Sequence, residues 1–150
     1  MDRAALDAAI AAGIPHGGWC PRGRLAEDGP ISYRYQLTET FGAEYTERTE
    51  RNVEDSDGTL ILHRGSLGRG TELTYRFALR LSKPCMVLNL DSHPLPQAVA
   101  QWLQATGIST LNIAGPREST TPGIYDEAKE FLTIVFREDS KRAEICEPAE

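Results

Sequence analysis

The chain has 150 residues, a length that fits one ordinary domain, and its 40% hydrophobic and 25% charged residues are typical of a globular protein rather than a disordered one. Its 22 acidic residues outnumber 16 basic ones, and the net charge of −6 argues against general nucleic-acid binding, which needs Lys and Arg to neutralise phosphate. Thirteen of the 16 basic residues are Arg, which favours fixed bidentate contacts in a local site.

Cysteine spacing and the distribution of apolar residues indicate the cellular compartment of the protein. Cys20, Cys85 and Cys146 lie far apart and form no paired motif, so the sequence indicates neither a metal site nor a disulfide framework. The first residues lack the basic start and apolar core of an export signal, and no stretch is apolar for long enough to span a membrane. We expect a cytoplasmic protein with reduced thiols that binds neither membranes nor nucleic acid.

The first half of the chain predicts two helices with an irregular stretch between them. Alanines at helical spacing predict a helix over residues 1–13. Paired glycines and prolines make residues 16–30 irregular, and residues 31–44 stay open, with two tyrosines that suggest an extended piece. The charged segment 46–56 predicts an exposed helix.

The second half alternates short apolar runs with longer helical patterns. The apolar runs predict strands buried on both faces at Thr59–His63, Cys85–Leu90 and Thr110–Ala114. Helical patterns cover 71–82, Pro96–Thr106 and Pro122–Phe136, and a polar, loosely ordered tail is expected over 138–150.

This alternation predicts the fold class. Helices of such length between strands require crossover connections, which produce a mostly parallel sheet with helices on both faces. We therefore expect one doubly wound α/β domain over residues 1–150. Ligands of such domains bind beyond the carboxyl ends of the strands, so the strand-to-helix loops are the place to look for function.

The loop HRGSLGRGT, between the first apolar strand and its helix, is the strongest candidate for a binding site. Gly65, Gly68 and Gly70 let backbone N–H groups approach an anion, and the helix N-terminus adds partial positive charge. Ser66 and Thr71 can add hydroxyl donors. The loop matches neither the Walker motif nor the dinucleotide-binding motif, and a tight turn before a capped helix is the alternative. We interpret it as a phosphate-binding loop.

Two further loops contribute arginines. The loop AGPRESTTPG presents Arg117 among hydroxyl side chains, either as a fork around a charged ligand group or as an exposed residue beside an ordinary helix cap. The loop after the first helix adds Arg22 and Arg24, together with Trp19, which either stacks on a flat ring or, as we favour, packs as a lid on the core. So many arginines in an acidic chain are consistent with a phosphorylated ligand.

Five segments in combination resemble the putative molybdenum carrier family: DRAALDAAI, GGWCPRGRLAEDG, NVEDSDGTLIL, GSLGRGTELT and LNIAGPRES. This bacterial family belongs to a Rossmann-like superfamily that also contains the lysine-decarboxylase-like cytokinin-activating proteins. The resemblance runs from residue 2 to about residue 136. It implies a single Rossmann-like domain, a homo-oligomer, and a phosphorylated ligand, either the pterin of the molybdopterin cofactor or a nucleotide.

The resemblance also implies which residues contact the ligand. Carried over by position, they are Asp2 and Arg3, then Gly65, Ser66, Leu67, Gly68, Arg69, Gly70 and Thr71, and finally Gly115, Pro116, Arg117, Glu118 and Ser119. Similar proteins usually begin with a short strand and a loop of the type SGGQTG just before the Asp-Arg pair, and Met1 stands where that loop ends. We therefore expect either a start upstream of Met1 or a homo-oligomer.

One residue bears on whether the protein is an enzyme. Relatives that hydrolyse nucleotides carry a Glu three residues after the Gly-Thr pair of the glycine loop, and here Thr74 stands in that place. We assign no catalytic residue and expect a ligand-binding protein. The alternatives are a nucleotide-processing enzyme similar to phosphoribohydrolases, and a nucleotide sensor that works through a protein partner.

Overall fold

A computed structural model describes residues 1–145, with side chains described through residue 141. Within that range the chain alternates helices with strands, most of them short. In chain order the elements are α1 Asp2–Ala11, β1 Trp19–Cys20, β2 Leu25–Ala26, β3 Gly29–Pro30, β4 Thr38–Glu39, α2 Tyr45–Glu54, β5 Gly58–His63, α3 Arg69–Arg80, β6 Cys85–Asn89, α4 Pro96–Thr106, β7 Leu111–Ala114 and α5 Ile124–Ile145.

The main sheet consists of three parallel strands in the order β6-β5-β7. Its central strand β5 is shielded on both faces, and Leu60, Ile61 and Leu62 have no exposed surface. Such continuous burial is what the apolar run in the sequence predicted. The predicted parallel α/β fold is confirmed, with β5 at the centre and β6 and β7 on either side of it.

Helices cover both faces of this sheet. Leu60 and Leu62 of β5 point into a large core shared by α1, α4 and α5, where Ala8, Val99 and Leu132 are fully buried. A second cluster joins α2 and α3 through Val53, Phe77 and Ala78. Among the described residues, no helix is both long and apolar enough to cross a membrane.

Residues 19–39, only partly interpreted from the sequence, form two small strand pairs. β1 pairs with β4 in parallel, and β2 pairs with β3 as a hairpin whose turn holds Glu27 and Asp28. Arg24 organises this segment: it is 5% exposed and has a φ of 55°. Its guanidinium donates hydrogen bonds to the carbonyl oxygens of Ile31, Ser32, Tyr35 and Leu37. Arg24 is therefore committed to the fold, and its predicted place among ligand-facing arginines is wrong.

The helices begin or end within a few residues of the predicted bounds, and the differences at α3 and α5 bear on the site and on the predicted tail. Helix α3 begins at Arg69, so Gly70 and Thr71 lie in its first turn rather than in the loop. Helix α5 begins at Ile124 and continues to Ile145, so the part of the predicted tail over 138–145 is helical. The Arg, Lys, Glu and Ala residues of that stretch are good helix formers, which explains the continuation. Residues 146–150 lie outside the described part of the chain.

Candidate functional site

The strand order places a topological switch point between the carboxyl ends of β5 and β7, and we call the space between these two strand ends the crevice. From β5 the chain passes to β6 through α3, whereas from β6 it returns across β5 to reach β7 through α4. Parallel crossovers share one hand, so this reversal places α3 and α4 on opposite faces of the sheet. Helix α5, which follows β7, packs with α4 on the face away from α3. Ligands of open α/β sheets bind at such switch points. Both loops singled out from the sequence border this crevice.

Arg64, directly after β5, links the two loops. Its guanidinium lies 3.4 Å from the carbonyl oxygen of Pro122 and forms an ion pair with Glu127 in the first turns of α5. On the other side, the backbone N–H of Gly65 donates to the Asp91 carboxylate at 2.8 Å. The start of the glycine loop is thus held by groups that follow both neighbouring strands.

Only one of the three glycines in this loop adopts a left-handed backbone. Gly65 has a φ of 57°, whereas Gly68 has a φ of −75° and is the residue at the N-terminal cap of α3. A Cβ atom added to Gly68 or Gly70 would meet no atom within 4 Å. The first N–H groups of a helix have no partner inside it, so α3 presents donors beside open backbone.

Two threonines of the same helix turn away from the crevice. Thr71 is 5% exposed and Thr74 is 4% exposed. The Thr74 hydroxyl donates to the carbonyl oxygen of Gly70 at 3.1 Å. Thr71 was predicted to offer a hydroxyl to the ligand, and its burial leaves Ser66, which is exposed, as the hydroxyl of this loop that solvent can reach.

The loop after β7 brings two donors onto one carboxylate. Arg117 Nη1 lies 3.0 Å from Glu27, and the Ser119 hydroxyl lies 2.8 Å from both oxygens of that carboxylate. These hydrogen bonds, from Ser119 first and Arg117 second, hold the pKa of Glu27 below its usual value. Arg117 and Ser119 thus converge on a carboxylate of the chain itself, and their contact with a ligand stays a prediction.

Glu118 has a structural task instead. Its carboxylate accepts hydrogen bonds from the backbone N–H groups of Gly123 at 2.6 Å and Tyr125 at 2.9 Å. These bonds lower the pKa of Glu118 and satisfy donors at the start of α5. The resemblance implied a ligand contact at Glu118, which its position at the start of α5 does not favour.

The start of α1 reaches the same edge of the sheet. The Met1 ammonium group donates to the carbonyl oxygen of Pro116 at 3.2 Å. Gly115 allows this close packing, because a Cβ atom there would collide with the Leu62 carbonyl oxygen and the Met1 side chain. Arg3 Nη1 donates to Asp28 at 2.7 Å, next to the Glu27 carboxylate held by Arg117.

Helix α2 contributes residues that the sequence did not point to. Arg48 forms an ion pair with Asp2. The centroid of the Tyr45 ring lies 4.9 Å from Cζ of Arg117 and 5.7 Å from Cζ of Arg48, so both guanidinium groups stack on this ring. Cation–π contacts of this kind fix an arginine in place. Asp2 is therefore engaged with α2, and Arg117 is held between an aromatic ring and a carboxylate.

Trp19 and Cys20 are part of the fold around β1, whereas His63 ends β5 beside the glycine loop. The indole N–H of Trp19 donates to Asp55 at 2.6 Å and Arg51 stacks on its ring at 4.9 Å, so Trp19 packs on α2. Burial raises the pKa of the Cys20 thiol, as expected for a structural cysteine. The Nδ1 atom of His63 is buried and has no hydrogen-bond partner among the described residues.

Two grooves of the protein lie apart from this site. Open grooves of about 450 and 340 Å³ run along α5, lined by residues such as Lys129 and Arg137, and none of the predicted site residues lines them. The larger groove carries both acidic and basic side chains, and the smaller one carries only the basic side chains of Arg137 and Lys141. In the described range, no three His, Cys, Asp or Glu side chains are grouped so as to hold a metal ion.

Comparison with known proteins gives two matches. A family model described as "Circularly permutated YpsA SLOG family" matches residues 1–136. A crystal structure at 1.45 Å resolution, described as a putative molybdenum carrier protein from Syntrophus aciditrophicus SB, is 47% identical in sequence and superposes with a TM-score of 0.84. The match covers 90% of this chain and 87% of that one. No curated protein matches the chain.

Proposed function

The chain belongs to the circularly permutated YpsA SLOG family, and from that premise we propose that it binds a small phosphorylated ligand, a pterin or a nucleotide, in the crevice between β5 and β7. The family and the carrier relative support a general role in ligand binding. The relative's description as a molybdenum carrier favours the pterin of the molybdopterin cofactor, while the glycine loop suits either ligand.

One observation carries this proposal. Arg117 and Ser119 converge on the Glu27 carboxylate of the same chain at 2.8–3.0 Å. Donors that converge on one anionic group in this way also suit a phosphate group. Across the crevice, the first turn of α3 offers backbone N–H groups that have no helical partner. A phosphorylated ligand would therefore find side-chain donors on one wall and backbone donors on the other.

Binding is tested with defined compounds. We expect calorimetry to detect binding of GMP, AMP or a phosphorylated pterin, and mass spectrometry of protein purified without denaturation to identify any ligand carried along. Arg117→Ala should weaken binding by about 1.5–3 kcal/mol, the range for a charge-assisted hydrogen bond. Arg76→Ala is the matched control, since Arg76 is exposed and pairs with Glu72 one turn earlier on α3. Equal affinity of both variants and the wild type would contradict the proposed site.

The main alternative is a nucleotide-processing enzyme. Such chemistry on a glycosidic bond needs a carboxylate beside the reacting carbon. The Thr74 hydroxyl is buried against the Gly70 carbonyl, and Glu72 pairs with Arg76 on the exposed side of α3. These contacts support binding over hydrolysis as the role of the glycine loop.

Self-association and a cytoplasmic location complete the proposal. Within the described residues, β6 and β7 pair only with β5, so each has an unpaired edge. Unpaired edges of parallel sheets favour association with another chain. Cys20 and Cys85 are free thiols, as expected for a protein of a reducing compartment.

A further inference from the structure

The turn of the β2–β3 hairpin lies on the donors assigned to the ligand. Glu27 accepts hydrogen bonds from Arg117 and Ser119, and Asp28 is bound by both terminal nitrogens of Arg3. All three donors are among the ligand contacts that the sequence resemblance implies. Two adjacent carboxylates of the chain therefore stand where a ligand's anionic groups would bind.

These contacts are exposed to solvent, and on the hairpin side they have little apolar packing around them, although Arg117 itself stacks on Tyr45. The side chains of Glu27 and Asp28 are 39% and 67% exposed, and those of Arg117 and Arg3 are 52% and 35% exposed. Ion pairs this open to water hold only weakly. Leu25, at the start of the hairpin, is itself 45% exposed, so the turn buries little apolar surface that would keep it in place.

The base of the hairpin is fixed, in contrast to its turn. The Ile31 N–H donates to the Arg24 carbonyl oxygen at 2.7 Å, and the buried Arg24 guanidinium returns a bond to the Ile31 carbonyl oxygen at 2.9 Å. Gly29, with a φ of 113°, gives the chain a flexible residue just after the carboxylates. The turn is thus held at the crevice by exposed polar contacts, whereas the base is held by backbone and buried guanidinium hydrogen bonds.

We propose that the Glu27–Asp28 turn is an internal counter-anion that a ligand must displace from Arg117, Ser119 and Arg3, which makes the site selective for dianionic groups. This rests on the proposed function, because it concerns the same crevice. A phosphate monoester carries a charge of about −1.5 to −2 at pH 7, against −1 for a carboxylate. At Arg117 and Ser119 a phosphate therefore brings up to twice the charge of the Glu27 carboxylate, whereas a monoanionic ligand gains little by replacing one carboxylate with another.

The first test measures affinity. Calorimetry with inorganic pyrophosphate and with GMP should give binding about three- to tenfold tighter for Glu27→Gln and for Asp28→Asn than for the wild type, because less of the protein is held in the occluded state. Glu50→Gln is the control, since it removes a carboxylate from the exposed Arg80 pair between α2 and α3. Glu50→Gln should leave the affinity unchanged.

The second test separates displacement from a simple change of charge. Hydrogen exchange of the amides of residues 26–29 should become faster when pyrophosphate is added to the wild type, whereas the Ile31 amide at the base should keep its protection. Slower or unchanged exchange on binding, or weaker binding by Glu27→Gln, would overturn the inference and leave the proposed function standing. If the wild type and both variants bind neither pyrophosphate nor GMP, the proposed function fails and this inference with it.

Discussion

Asp7 of α1 accepts a hydrogen bond from the hydroxyl of Tyr125 of α5. The same carboxylate accepts bonds from the Tyr35 hydroxyl and from Arg34, each at 2.8 Å, and its side chain is only 10% exposed. Burial alone would raise the pKa of Asp7, but the bonds from Tyr125, Tyr35 and Arg34 outweigh it and lower that pKa. The hydrogen bond between Tyr125 and Asp7 also raises the pKa of Tyr125 to about 12. One carboxylate thus joins α1, α5 and the segment that carries the hairpin.

This network predicts a pH-dependent stability. Because the folded-state pKa of Asp7 lies below its unfolded value, the ionised form is bound better in the folded protein. The contribution is complete above the unfolded pKa of about 3.9 and is lost as pH falls through the lower folded value. Asp7→Asn should cost about 1–3 kcal/mol at pH 7 and much less near pH 2, as measured by urea unfolding. Asp126→Asn, which removes an exposed carboxylate of α5, should not reproduce this pH dependence.

Substitution of Arg24 should lower the stability of the protein, because its side chain holds the fold and does not face the ligand. Its guanidinium satisfies four carbonyl oxygens between Ile31 and Leu37, and a Lys side chain has neither the number nor the geometry of donors to replace it. Arg24→Lys and Arg24→Ala should each lower the free energy of unfolding by about 2–4 kcal/mol. Arg22→Ala, at an exposed position of the same loop, is the control. Wild-type stability of the Arg24 variants would mean that the segment holds its shape by other contacts.

At Gly70 we expect a substitution to abolish ligand binding while the stability of the protein stays unchanged. A Cβ atom there meets nothing within 4 Å, so Gly70→Val should fold with a melting temperature close to that of the wild type. The branched side chain would nevertheless cover the N–H groups at the start of α3, and we expect binding of GMP or pyrophosphate to be abolished. Thermal unfolding and calorimetry on one preparation test both statements. Normal binding by this variant would remove the glycine loop from the site.

The sequence predicted the parts of this molecule that depend on local pattern. The apolar run at Thr59–His63 and the glycine loop after it were found because burial and turn chemistry leave a signature within a few residues. Strands of two residues, such as β1 and β4, are too short to show a period. The contact between Glu27 and Arg117 joins residues 90 positions apart, and no pattern along the chain could indicate it.

Self-association is expected from the edges of the sheet. β7 presents Leu111–Ala114, a segment without charge or proline, beside its pairing with β5. Such an edge lacks the features that usually prevent association. Light scattering coupled to size exclusion should give a mass of at least two chains across micromolar concentrations. A stable monomer throughout that range would contradict this expectation and leave the binding proposal unaffected.

The last prediction is that the protein does not release free base from AMP, GMP or CMP. Cleavage of the glycosidic bond passes through an oxocarbenium-like state that a carboxylate must stabilise, or it needs a base that activates water. Thr74 carries no charge, and its hydroxyl is committed to the Gly70 carbonyl oxygen. Glu72 lies two residues earlier, about 200° around the helix, where it pairs with Arg76.

Base release is followed by chromatography with each nucleotide in excess over the protein. Arg117→Ala serves as the control for contamination, because any activity that belongs to the crevice should fall in this variant while a contaminant's would not. We expect no release above the background of this variant. Turnover of about 1 s⁻¹ or faster, the low end of typical enzyme rates, that is lost in Arg117→Ala would establish the enzyme alternative and displace binding as the primary role.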